Sequence, residues 1–256
     1  MTLAIVKSDV ETIQGLMTAR KGSSLVKARL QRNVLGLAPT YSRDNLWQRI
    51  LTCLLTTQQP SGPGTAVNRF IKQNPFPLAL TVLRDGSAER LVIETLSQFG
   101  GIRRYKNIAN EADYNLRWLR SGGWTTIETE FVNLAELRSR TPRFEDITIE
   151  RRSARLARKY LKGFGPKQAR NLWQMLGLTR FEIPLDSRVT KWISSHLLLS
   201  KSINFTPRSL VRQSDYELTL DGIQALCREA DILPCLLDAA IFSSYDREWQ
   251  SEELIY

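Results

Sequence analysis

"LKGFGPKQAR", residues 161–170, sets two glycines, a phenylalanine and a proline into sequence that is otherwise helix-forming on both sides. Read outward, 150–176 is "ERRSARLARKYLKGFGPKQARNLWQML". An amphipathic helix carrying Leu156 and Leu161 meets a short hairpin, and a second helix carrying Ala169, Leu172 and Leu176 leaves it. Gly163 and Gly165 permit positive φ and put no side chain between the backbone and a partner, so consecutive N–H groups can turn outward. Pro166 suits the first helical position because it has no N–H to lose, and the open first turn behind it completes an anion site. A DNA phosphate is the expected occupant, held for position rather than for sequence. Glycine turns join helices in many proteins. The run Arg151, Arg152, Arg155, Arg158, Lys159 and Lys162 supports the phosphate reading, although such a run also suits a solvated face.

Lys167 separates the two readings better. A lysine one residue into a helix sits against the positive end of the macrodipole, where an acid is the more natural occupant. An ammonium destabilised in this way is a more available amine nucleophile.

The rest of the chain is consistent with a basic helical protein. It has 256 residues, 42% of them hydrophobic, with 36 Lys plus Arg against 26 Asp plus Glu and a formal net charge of +10. That is enough apolar material for one large or two small domains, and a surface that attracts polyanions. The three cysteines, Cys53, Cys227 and Cys235, form no C-x-x-C pair, which argues against a zinc site, a cysteine-ligated iron–sulfur cluster or a disulfide framework. A single histidine, His196, makes a multi-histidine metal site or a histidine-dependent hydrolase a poor fit and is most simply a helix residue. No phosphate-binding nucleotide motif occurs, so no nucleotide cofactor is expected. "MTLAIV" is too short for a signal-peptide core and no later stretch approaches a membrane span. The expectation is a monomeric, cytoplasmic protein, nucleoid-associated if prokaryotic.

Apolar residues recur at three- and four-residue spacing, as in "LWQRILTCLL" (46–55), and predict an all-α fold. Helices are expected near 8–20, 25–35, 43–57, 64–73, 87–99, 103–120, 125–138, 149–161, 166–177, 187–199, 215–230 and 234–245. Starts are marked by Ser8 with Glu11, by Ser42 and by Thr125 with Glu128; Gly100–Gly101 and Gly122–Gly123 mark stops. "QQPSGPG" (58–64) and "NPFP" (74–77) read as loops. Trp47 and Trp173 read as core residues.

"LKGFGPKQAR", followed nineteen residues after Lys167 by Asp186 in "IPLDSRVTKWI", resembles the helix–hairpin–helix DNA glycosylase superfamily, the group of endonuclease III and the 8-oxoguanine DNA glycosylases. The resemblance runs from about Leu46 to about Arg247. It implies two helical subdomains flanking a DNA-binding cleft: a central one over 42–181, with the helix–hairpin–helix at about 149–177, and a second built from 1–41 plus 182–256. It implies that Lys167 attacks C1′ of a damaged nucleotide while Asp186 faces it across the cleft. Relatives that lack lyase activity keep the aspartate without the lysine; here both stand. Asp186 also reads as the cap of the helix beginning "SRV", a role compatible with catalysis.

Further positions follow from the same resemblance. A base buried in a duplex is reached by rotating it out of the stack, and the gap has to be filled. In "LLTTQQPSGPG" Gln58 is the first candidate for that gap and Gln59 the second, against a plain exposed loop. "FGGIRRYKNIANEA" resembles the segment that approaches the opposite strand, offering Arg103, Arg104 and Lys106. Gly163, Phe164, Gly165 and Arg188 complete the expected DNA contacts. In "LLDAAIFSSYDREW" Asp238 and Phe242 occupy the positions that read the base edge and stack on its face, one helical turn apart. The family member best known for this arrangement has glutamine where Asp238 stands, and an ionised aspartate accepts hydrogen bonds but donates none. For Phe242 core packing is an equal reading.

The expected partner is double-stranded DNA containing damaged bases. The expected activity is that of a DNA glycosylase and AP lyase excising an oxidised base, 8-oxoguanine first, through a lysine Schiff base, with no metal in catalysis beyond a monovalent cation on the hairpin carbonyls. Two alternatives stay open: a glycosylase for oxidised pyrimidines, against which the missing cluster cysteines count, and a non-catalytic helix–hairpin–helix module. Arg20, Lys21, Lys27, Arg29 and Arg32 in the first forty residues either extend the DNA face or pack.

Overall fold

The computed structural model describes residues 5–83, 88–199 and 209–245. Residue 87 and the 246–256 segment containing Arg247, both within the sequence readings above, lie outside the described residues, as do 1–4 of "MTLAIV". Among the described residues all regular structure is helical. The helices are α1 Lys7–Arg20, α2 Ser24–Leu30, α3 Arg43–Leu55, α4 Ala66–Ile71, α5 Ala88–Phe99, α6 Tyr105–Trp118, α7 Trp124–Arg138, α8 Ile147–Tyr160, α9 Pro166–Met175, α10 Ser187–His196, α11 Gln213–Glu229 and α12 Pro234–Tyr245. None of them is long and apolar enough to cross a membrane.

Two hydrophobic cores organise these helices. The first is built from α3 to α9, with Trp47 and Trp173 both fully buried and their indole N–H groups donated to the carbonyls of Leu78 and Ser153 at 2.9 and 3.0 Å. Burying each tryptophan without an unpaired donor is what makes so large a side chain tolerable in the centre. The second core gathers Ile13 of α1 with residues of the 183–199 segment, α11 and α12, and a small cluster of Leu25, Val26, Ala239 and Ala240 joins α2 to α12. The helices before residue 40 therefore pack, Arg29 among their buried residues, while Lys21 and Lys27 stay exposed. Asn33 ties them to the first core by donating to the carbonyls of Gln174 and Thr179 at 3.1 and 2.9 Å.

Several local expectations need correction. Ser42 caps α3 through the Asn45 N–H, but Ser8 lies inside α1, which starts after an extended Val6 with no side-chain cap. Thr125 is likewise inside α7: helical geometry breaks at Ser121 and Gly122 (φ +113°), where the glycine pair marks a stop, and α7 then starts at Trp124 with Gly123 before it and no side-chain cap. The helix expected to reach 199 ends at His196, because the buried Asp9 carboxylate takes the N–H groups of Leu198 and Leu199 at 2.9 and 2.8 Å.

The basic run on α8 keeps a solvated face, with Arg152, Arg155, Arg158, Lys159 and Lys162 all exposed, but part of it is paired within the protein. Arg151 pairs with Glu182 and Asp221 at 2.9 and 2.7 Å, Arg155 with Glu217, and Arg158 donates to Gln213. Carboxylates on α11 and on the strand-like segment before α10 supply countercharges that helical periodicity on α8 alone does not reveal.

Candidate active site

The hairpin between α8 and α9 depends on one glycine for its shape. Gly163 has φ +85°, and a Cβ there would stand 2.7 Å from both Leu54 Cδ2 and Glu111 Cδ, so both the dihedral and the space require glycine. Gly165 differs from expectation. Its backbone is extended (φ −82°, ψ −178°) and a Cβ would meet nothing within 4 Å, so only something arriving from outside can require glycine at that position. Phe164 is a second correction: its ring is buried in the first core and its N–H is donated to Leu161, so it anchors the hairpin from beneath. The Lys162 N–H is also turned inward, to Asn115 Oδ1 at 2.7 Å, while Asn115 Nδ2 returns a bond to the Lys162 carbonyl at 3.0 Å. What faces outward for an anion is the first turn of α9 and the bare backbone around Gly163 and Gly165.

Lys167 is half-buried on that first turn, and no hydrogen bond or ion pair from the described residues holds its ammonium. Asp186 sits across from it as the N-cap of α10. Its Oδ1 accepts from the N–H groups of Arg188 and Val189 at 2.8 and 3.0 Å, leaving Oδ2 without a donor among the described residues. Lys167 and Asp186 both line a cavity of about 500 Å³, bounded on one side by Gln58 to Ser61 and on the other by Leu210, Val211 and Tyr216. They also line an inner pocket of about 90 Å³ that contains Arg29, Gln174, Asp238 and Phe242.

Buried polar groups fix the segment that carries Asp186. Glu150 of α8 accepts the N–H groups of Arg180, Phe181 and Glu182 at 2.8 to 2.9 Å. Burial pushes its carboxyl up to about 7 even against those three bonds. Glu182 in turn pairs with Arg170 of α9 at 2.7 Å, both side chains fully buried, and Tyr216 donates to the Ile183 carbonyl and accepts from the Leu185 N–H. Sequence reading missed Glu150, Asn115, Arg170 and Glu182; nothing local marks them, since each acts on a segment far along the chain.

The remaining candidates divide into two groups. Gln58 (φ +57°), Arg103 and Lys106 are exposed, and Gln58 borders the outer cavity. Gln59 and Arg104 serve the frame: Gln59 bridges the Leu55 carbonyl and the Arg103 N–H, and Arg104 bonds to the Thr57 carbonyl and pairs with Glu111 at 3.3 Å. In the inner pocket Asp238 Oδ2 takes both Arg29 Nη1 and Gln174 Nε2 at 3.2 Å, so Oδ1 is the oxygen left for a ligand. Burial raises the Asp238 carboxyl to about 6, the Arg29 cation working against the shift and the Asp186 charge with it. The Phe242 ring packs against the Leu25, Val26, Ala239 and Ala240 cluster and carries the Arg188 guanidinium 4.1 Å above its centre.

No group of three or more His, Cys, Asp or Glu side chains gathers among the described residues as a metal site would need. The three cysteines are buried and unpaired, and burial pushes their thiols up, away from the reactive thiolate.

No family model and no curated protein sequence matches the chain. Among solved structures it is similar to the Methanocaldococcus jannaschii 8-oxoguanine glycosylase/lyase, crystallised in complex with 15-mer DNA containing 8-oxoguanine. The TM-score is 0.61 at 14% identity, over 92% of this chain and 96% of that one. At this identity the likeness speaks for architecture, and the hairpin, the two cores and the cavity between them agree with it: the chain shares the all-α fold of that structure.

Proposed function

We propose that the chain is a DNA glycosylase with associated AP lyase activity, acting on an oxidised base in duplex DNA and on 8-oxoguanine first. The observation that carries this reading is an unpaired lysine amine and an aspartate with one uncommitted oxygen on the wall of the same cavity. A cavity of about 500 Å³ lies within the range of small-ligand sites and suits an everted nucleotide.

In this reading the first turn of α9 and the bare hairpin backbone hold a DNA phosphate, Gln58 enters the gap left in the stack, and Arg103 and Lys106 face the opposite strand. Lys167 Nζ, as the free amine, attacks C1′. The bond from C1′ to the base nitrogen breaks, its electron pair leaves with the base, and the base picks up a proton. Asp186 Oδ2 stabilises the positive charge that develops on the sugar and accepts the proton lost by Nζ. Ring opening gives an imine between C1′ and Nζ, and loss of a C2′ proton then expels the 3′ phosphate by β-elimination. Asp238 Oδ1 accepts from the base edge and Phe242 stacks on its face. We also take the two cores as two domains, 42–181 and 1–41 plus 182–256, in a monomer that works in the cytoplasm or on the nucleoid.

The test is borohydride trapping on duplexes carrying a single 8-oxoguanine. A covalent adduct is expected from the wild-type protein and is lost, by at least about 100-fold in rate, in Lys167→Gln. An adduct with an oxidised-pyrimidine duplex only would move the substrate assignment. DNA binding without any adduct would reduce the protein to a binding module.

A further inference from the structure

The two cavities at the site differ in size and share a wall. The outer one, about 500 Å³, is lined by the loop from Gln58 to Ser61, and the inner one, about 90 Å³, by Asp238 and Phe242. Lys167, Asp186 and Arg188 line both. Arg188 thus stands on the boundary between the space beside Lys167 and the space beside Asp238. An inner space of about 90 Å³ lies well under the roughly 300 Å³ at which ligand pockets begin. Its interior is occupied by the protein itself: the Arg188 guanidinium lies 4.1 Å over the centre of the Phe242 ring. A guanidinium plane and a purine both need that separation from an aromatic face, so one face cannot hold both. The ring also packs against the α2–α12 cluster, and it lines the inner pocket together with Arg188.

We propose that Arg188 is a selectivity gate: in the free protein its guanidinium holds, on the Phe242 ring, the seat of the everted base, and a base enters only by displacing it. This rests on the glycosylase reading above. The backbone permits the movement, because Asp186 Oδ1 holds the Arg188 N–H at 2.8 Å and keeps the cap of α10 in place whichever way the side chain points. A displaced guanidinium swings into the outer cavity, where the phosphate of the everted nucleotide would lie. The contest favours bases that both stack on Phe242 and bond to Asp238, so the gate adds discrimination that neither contact gives alone.

Two measurements on Arg188→Ala test the gate. The first compares affinity for an 8-oxoguanine duplex with affinity for the same duplex carrying a tetrahydrofuran abasic site, which has no base to admit. The gate predicts that the ratio of lesion to abasic affinity rises about threefold to tenfold. The second uses no DNA: free 2-aminopurine, followed by its fluorescence, should bind Arg188→Ala more tightly than wild type by a similar factor. Arg188→Lys, which keeps the charge and loses the planar stack, should fall between the two proteins. If Arg188 were only a phosphate contact, both duplex affinities would fall together and 2-aminopurine binding would not change. If Arg188 were the second half of a sandwich around the base, the lesion ratio and 2-aminopurine binding would both fall; either result overturns the gate. Wild-type protein with no preference for the lesion duplex would defeat the glycosylase reading, while a gain in 2-aminopurine binding would still support the gate.

Discussion

Asp186 both caps α10 and faces the cavity, and the two roles separate by substitution. Asparagine caps a helix about as well as aspartate, so Asp186→Asn should melt within about 0.5 kcal/mol of wild type while trapping falls roughly 10²- to 10⁴-fold. Asp186→Ala should lose the same activity and about 1 kcal/mol of stability as well. Equal trapping by Asp186→Asn and wild type would leave the residue as a cap only. Asp238 offers a second handle, through pH. Its carboxyl stands at about 6 in the fold against an ordinary 3.8. The group's contribution to stability is therefore complete below about 3.8 and is lost as pH rises through about 6. Binding runs the other way, because only the ionised group is purely an acceptor. Affinity for an 8-oxoguanine duplex should fall several-fold as pH drops from 7.5 to 5.5, a loss that Asp238→Asn should not show.

At the scale of the element, the hairpin makes a prediction that its sequence does not distinguish. Gly163→Ala meets a positive φ and two side chains at 2.7 Å, and should cost about 2 kcal/mol or more in urea unfolding. Gly165→Ala meets open space at an extended φ and should leave stability unchanged within about 0.5 kcal/mol. If the hairpin holds a phosphate, Gly165→Ala should nevertheless weaken binding to any duplex; unchanged binding would remove the hairpin backbone from the DNA face. The same contrast shows what was legible in the sequence. Helix identity was readable along nearly the whole chain, because the repeat that buries one face is local, and so was the hairpin with Lys167 and Asp186. What was not readable depends on partners distant in sequence: Asn115 clamps a hairpin 47 residues away, and Arg29 reaches Asp238 across 209. Phe164 beside two glycines looked like a loop tip offered to DNA, and only the packing beneath it shows the ring turned into the core.

Across the whole molecule, the two candidate catalytic residues line the same cavities, Lys167 from the α9 side and Asp186 from the α10 side, and one buried ion pair braces that junction. Arg170 lies three residues after Lys167 on α9, and Glu182 lies four before Asp186. Their side chains meet at 2.7 Å with no solvent exposure on either. Arg170 also bonds to the Pro166 carbonyl at 3.0 Å and lies 4.5 Å over the Tyr216 ring, so the guanidinium touches the start of α9 and the second core together. Glu182 accepts as well from Arg151 and Gln224 at its other oxygen. This pair thus ties the start of α9, which carries Lys167, to the segment that carries Asp186. Glu182→Gln keeps the volume but leaves a fully buried guanidinium with only the longer, 3.6 Å pairing to Glu217, a loss of about 3 kcal/mol. The urea midpoint should drop accordingly. In the fraction still folded at low temperature, trapping should slow at least tenfold, because a displacement of about 1 Å at a reacting pair costs that much or more. Replacing Arg152 provides the comparison: its pairing with Glu130 is half-exposed and remote from the junction, so Arg152→Ala should change stability by no more than about 1 kcal/mol and leave trapping intact. If Glu182→Gln lost stability but trapped at the wild-type rate, the brace would support the fold without setting the geometry of the site.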